Sequence, residues 1–76
     1  MKSVTISLDT IEKVRNFVNI ISRQEGDFDL VSDRYVIDAK SIMGIFSLDL
    51  SKHLNLNIHS DVNVDAIVAE LKEFIV

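Results

Sequence analysis

Apolar and polar residues alternate at the start of the chain, with Val4, Ile6 and Leu8 separated by Thr5 and Ser7. A period of two with one polar side predicts a half-buried strand over Lys2–Leu8. The period then changes. Ile11, Val14, Val18 and Ile21 recur at helical spacing with Phe17 beside them, while Glu12, Arg15, Asn16, Asn19 and Arg23 fall on the opposite side. That pattern predicts an amphipathic helix. Asp9 is its expected start, because Glu12 stands three residues on at the capping-box spacing. Gly26 is its expected stop, since glycine accepts the left-handed conformation that ends many helices.

Phe28 and Leu30 then alternate with Asp27 and Asp29, and a second short run follows at Tyr35-Val36-Ile37. The two runs predict an antiparallel pair joined near Ser32-Asp33, a turn without the glycine that tight hairpins favour. Lys40-Ser41 leads into a short, very apolar helical stretch ending near Leu50. Leu54, Leu56 and Ile58 alternate with Asn55, Asn57 and His59, which marks another strand. The last segment begins near Asp61 or Asn63 and carries Val64, Ile67, Val68, Leu71, Phe74 and Ile75 at helical spacing. The order is β-α-β-β-α-β-α. Four strands with one apolar face each need cover on that face only, so an open sheet with helices packed on one side is the expected α+β arrangement.

Composition narrows the range of functions. Seventy-six residues make one domain spanning 1–76. A chain this short buries only about 60% of its unfolded surface, so it depends on dense apolar packing, which a 47% hydrophobic composition supplies. There is no cysteine, hence no disulfide framework and no thiolate metal site. The net charge of −4 and the scattered basic residues argue against direct nucleic-acid binding, which needs clustered cations to displace phosphate counterions. No apolar stretch approaches the roughly 20 residues of a membrane span, and the amino terminus lacks the pattern of a signal peptide. No membrane insertion and a cytoplasmic location are expected.

The middle of the chain is more specific. Ala39-Lys40-Ser41-Ile42-Met43-Gly44-Ile45-Phe46-Ser47-Leu48 resembles the regulatory-serine region of HPr proteins from Gram-positive bacteria, phosphocarriers of the sugar-transporting phosphotransferase system. The element order agrees, so the resemblance covers nearly the whole chain. It implies the HPr-like open-faced β-sandwich, a four-stranded antiparallel sheet covered on one face by three helices. It also implies that Ser41 is a site of phosphorylation by an HPr kinase/phosphorylase. Lys40 and the apolar edge Ile42, Met43 and Phe46 would then form a docking surface, with a catabolite-control transcription regulator as a further partner. Independently of family, Ser41 stands where an N-cap would stand and can accept from first-turn amides. A phosphoserine there would use the same donors, and Lys40 is near enough in sequence to pair with it. From spacing alone Ser41 reads as a plain cap, and it is the resemblance that adds the phosphorylated reading. Likewise, the apolar edge can be read as core instead of partner surface.

The family's other motif is missing. HPr proteins place the phosphorylated histidine just before the first helix, with an arginine two residues on and then a proline. Aligned through Phe17-Val18, this chain has Thr10 at the histidine, Glu12 at the arginine and Lys13 at the proline. A phosphothreonine ester is too stable to pass its phosphoryl group on readily, and Glu12 would repel it. The expectation is therefore a regulatory protein that is not a phosphohistidine carrier, or else a binding module on the same scaffold. Asp49 is another departure, where the family often has glycine after the short helix.

The remaining chemistry is sparse. His53 and His59 are expected to be ordinary surface histidines, and His59 with Asp61 is too few ligands for a metal. Asp27, Asp29, Asp33 and Asp38 cluster on the hairpin and read as solvated charges that protect a sheet edge. The sequence contains no nucleophile–base pair, phosphate-cradling loop or spaced carboxylate pair, so neither an enzyme nor a bound cofactor is expected.

Overall fold

The computed structural model describes residues 1–59 and 63–76. Its elements are β1 (Lys2–Ile6), α1 (Ile11–Ser22), β2 (Phe28–Ser32), β3 (Tyr35–Asp38), α2 (Ile42–Phe46), β4 (Leu54–Ile58) and α3 (Val64–Glu70), followed by a 3-10 turn at Lys72–Phe74. The strands form one antiparallel sheet in the order β1-β4-β2-β3. This is the α+β, open-faced arrangement that the periodicity predicts.

Alternation fixes which face is covered. Leu54, Leu56 and Ile58 of β4 and Phe28 and Leu30 of β2 are buried, together with Ile6. They meet Val14, Phe17 and Ile21 of α1, Ile45 of α2, and Ile67, Leu71 and Phe74 near the C-terminus in one cluster. Burying each Leu, Ile or Phe side chain contributes about 1.5–3 kcal/mol. The other face is polar. Ser3 donates to Asn57 Oδ1 at 2.7 Å and Thr5 to Asn55 Oδ1 at 3.2 Å, so cross-strand side-chain hydrogen bonds take the place of a second apolar layer.

Three local expectations change. α1 is capped by Thr10, not Asp9: Thr10 Oγ1 accepts the Lys13 N–H at 3.1 Å, and the helix starts at Ile11. Asp9 instead pairs with the Lys13 ammonium at 2.9 Å. The helix ends at Ser22, ahead of Gly26, which takes φ 97° in the following loop. The hairpin turn is Asp33-Arg34, and Asp33 supplies the left-handed residue at φ 53° in place of a glycine.

The C-terminus departs most. The expected start near Asp61 lies outside the described residues, and Asn63 precedes α3. Helical spacing extends to Ile75 in the sequence, yet α3 stops at Glu70. The tail swings onto the outer edge of β1, where Phe74 O accepts from Ser7 N at 2.8 Å, Val76 N donates to Thr5 O at 3.1 Å and Ile75 bridges Ile6. Backbone groups that a longer helix would have left unpaired at the β1 edge are satisfied this way.

Candidate functional site

The chain leaves β3 through a reversal that positions Ser41. Ala39 is buried and donates its N–H to Phe28 O at 2.8 Å, while Asp38 Oδ1 accepts the Lys40 N–H at 2.9 Å and Asp38 O accepts the Ser41 N–H at 3.0 Å. Ser41 is then extended (φ −94°, ψ 102°), the geometry of an N-cap. Its Oγ accepts the Gly44 N–H at 3.1 Å and its carbonyl accepts from Ile45 N at 3.0 Å. Gly44 leaves little room beside this bond: a Cβ there would lie 3.2 Å from Ser41 Oγ and 3.3 Å from Ile37 Cδ1.

The side chains of α2 divide around that cap. Ile45 is buried and pins the helix to the sheet; Ile42 is half-buried; Met43 is 78% and Phe46 42% exposed. Ile42 lines a shallow cleft with Ile11, Glu12, Arg15 and Asn19 of α1. Ile11 is 66% exposed, although its spacing assigns it to the core face of α1. It occupies the first position of the helix and lines the cleft with Ile42.

Lys40 does not point to Ser41. Its ammonium donates to Gln24 O at 2.8 Å and lies 5.6 Å from the centre of the Phe28 ring. The cation of the cleft beside Ile42 is Arg15. Asp49 builds the turn after α2 without glycine, since its carboxylate accepts from Ser51 Oγ at 2.6 Å and Ser51 N at 3.1 Å. Those donors hold the Asp49 carboxyl below its ordinary value. Similarly, Lys13 holds Asp9 low through a hydrogen bond and its charge.

At the start of α1, Thr10 spends its side-chain oxygen on the helix cap and Glu12 stands exposed in the first turn. The chain's two histidines lie elsewhere. His59 Nε2 is 2.6 Å from Asp29 Oδ2 on the open face of the sheet, away from the helices. His53 is exposed one residue ahead of β4, and the pairing of Ile6 with Leu54 puts it at the end of the sheet where α1 begins. Among the described residues no three potential metal ligands converge, and no helix is long and apolar enough to cross a membrane.

The structure superposes with a TM-score of 0.79 on HPr-C-His from Thermoanaerobacter tengcongensis, with 28% identity over 96% of this chain and 89% of that one. The fold is that of HPr. A second HPr-fold neighbour, the phosphocarrier protein HPr from Bacillus anthracis str. Ames, gives a TM-score of 0.72 at 23% identity over 99% of this chain and 94% of its own. No protein-family model and no curated protein matches the chain by sequence. On this fold Ser41, Ile42, Met43 and Phe46 gather at α2, while Thr10 and Glu12 stand at the start of α1.

Proposed function

We propose that this chain is a regulatory relative of the phosphotransferase-system phosphocarrier, phosphorylated on Ser41 and not a carrier of phosphohistidine. The observation that supports it best is the setting of Ser41: an exposed hydroxyl at the cap of α2, beside exposed Met43 and Phe46 and the half-buried Ile42. A kinase can reach that oxygen. A phosphate there would keep acceptor oxygens for the first-turn amides and place about two negative charges next to an apolar docking edge. Binding at that edge would then depend on the modification. Lys40 is committed to Gln24, so Arg15, in the cleft beside Ile42, is the cation proposed to answer the new charge.

The proposed partners are an HPr kinase/phosphorylase and a catabolite-control transcription regulator, in a cytoplasmic bacterial setting. The proposed functional analogue is the catabolite-repression HPr homologue, an HPr relative without the active histidine. Against carrier chemistry, the alignment through Phe17-Val18 would set Thr10 and Glu12 where a phosphoryl acceptor and its cationic partner are required. A threonine oxygen gives a stable ester, and a carboxylate repels the transferring group.

A second reading has its own support: Ser41 Oγ is already spent on the Gly44 N–H, as a purely structural cap would be. On that reading the chain is a binding module that uses the Met43–Phe46 edge without phosphorylation. Intact mass after incubation with ATP and an HPr serine kinase, beside a Ser41→Ala control, separates the two. One added phosphoryl group in the parent and none in the control supports the regulatory reading. No addition in either, with the kinase active on a true HPr, leaves the binding module.

A further inference from the structure

The two edges of the sheet are treated differently. The outer edge of β1 is bridged by the C-terminal tail through Ser7, Thr5 and Ile75. The outer edge of β3 has no strand beside it among the described residues. It also carries Tyr35 and Val36, each 63% exposed, and has neither proline nor lysine; of the aspartates expected to protect an edge only Asp38 lies on the strand, with Arg34 of opposite charge just before its start. We propose that β3 pairs antiparallel with β3 of a second copy, about a two-fold axis at Val36, joining two four-stranded sheets into one of eight strands.

Backbone direction selects the residues that can take part. Ser32 and Tyr35 flank the two-residue turn, and Ala39 N donates to Phe28 O, so Tyr35, Ile37 and Ala39 direct their backbone groups toward β2. Val36 and Asp38 therefore direct theirs outward, because N–H and C=O of one residue leave a strand on the same side. A two-fold axis at Val36 makes Val36 and its symmetry mate a hydrogen-bonded pair that exchanges two N–H···O bonds. Residues facing one another must also share a face of the sheet. This register satisfies that condition, setting Val36 on Val36 on the open face and Tyr35 against Ile37 on the helix face.

Charge chooses between the registers that remain. With the axis at Val36, Arg34 of each copy meets Asp38 of the other, giving two opposite-charge pairs flanking the valines. Arg34 forms no ion pair within its own chain among the described residues. Moving the axis to Ile37 sets Arg34 against Lys40 and Val36 against Asp38, which repels at the ends and wastes the apolar contact. Moving it to Tyr35 loses the Asp38 pairing altogether. The edge is thus self-complementary in one register only.

An interface built from one four-residue strand is small, so association is expected near chain concentrations of about 1 mM, read by sedimentation equilibrium or light scattering. The apparent mass of the parent should rise toward twice its 8.6 kDa across a dilution series. Val36→Lys should remain at the monomer mass while keeping the parent's circular dichroism spectrum. Arg34→Asp and Asp38→Arg should each be monomeric alone, since each sets like charges together. Their 1:1 mixture should regain the dimer, because both charge pairs are then restored. A parent that stays monomeric at about 1 mM, a dimer indifferent to Val36→Lys, or folded charge variants whose mixture stays monomeric would each overturn the proposal.

Discussion

The Phe74 ring stands edge-on to the Phe17 ring, their centroids 5.7 Å apart and their planes at 90°. Both are buried, and they join the middle of α1 to the turn after α3. The same turn feeds the tail onto β1, so one aromatic contact ties the first helix, the last helix and the sheet edge together. Phe74→Ala removes that contact and opens a cavity, which costs about 3–5 kcal/mol. In a domain whose whole stability is about 5–15 kcal/mol, the urea midpoint should fall steeply. A loss below about 1 kcal/mol would mean that the tail packs independently of α1.

Two caps of different helices should behave alike. Thr10 Oγ1 and Ser41 Oγ each accept one first-turn amide at 3.1 Å. Thr10→Ala and Ser41→Ala should each lower unfolding free energy by about 1 kcal/mol, and Thr10→Asp and Ser41→Asp should recover most of it. Urea titrations of the four variants measure this. If Ser41→Asp destabilised more than Ser41→Ala, the cap could not accept an anion, and phosphorylation at Ser41 would have to disturb α2.

The elements that sequence periodicity located are those whose alternation is driven by burial alone. Leu54, Leu56 and Ile58 have no competing way to hide three apolar side chains, and neither do Val14, Phe17 and Ile21. Where backbone hydrogen bonds compete, spacing misleads. Phe74 and Ile75 continue the helical pattern of α3, but the unpaired edge of β1 offers them backbone partners that the helix does not. The capping residue of α1 was misplaced for a similar reason: Asp9 and Thr10 are both competent caps, and the Lys13 ammonium draws Asp9 into an ion pair and leaves the amide to Thr10. At the candidate site, the capping position of Ser41 follows from the apolar run after it, whereas the spacing of Met43 and Phe46 fits core and surface alike and only the fold exposes them. The exposed Ile11 and the direction of Lys40 were not legible in the sequence, because both depend on where α1 and Gln24 come to lie after folding.

Gly44 and Ser41 should be energetically coupled. Alanine is favoured over glycine inside a helix by about 1 kcal/mol, but at Gly44 the added methyl would press on Ser41 Oγ at 3.2 Å and Ile37 Cδ1 at 3.3 Å. Gly44→Ala is therefore expected to be close to neutral in the parent. In the Ser41→Ala background the hydroxyl is gone, and the same substitution should be more favourable by about 0.5–1 kcal/mol. A double-mutant cycle by chemical denaturation gives the coupling directly. Strict additivity would place the strain on Ile37 and leave the cap unaffected.

Asp49 offers a test in pH. Its carboxylate accepts from Ser51 Oγ and Ser51 N, and these bonds lower its pKa from the ordinary 3.8. The donors favour the charged form, so their contribution is fully present above the unfolded value and disappears as pH falls through the lowered folded value. Ser51→Ala removes the hydroxyl and keeps the amide. The Asp49 carboxyl resonance should then titrate closer to 3.8 than in the parent. The stability difference between parent and variant should be constant from neutral pH down to the ordinary carboxylate range and shrink below it. A difference that persisted at the acid end would show that Ser51 supports the turn through a bond the protonated carboxyl also makes. The turn from α2 into β4 would then be held by geometry and not by charge.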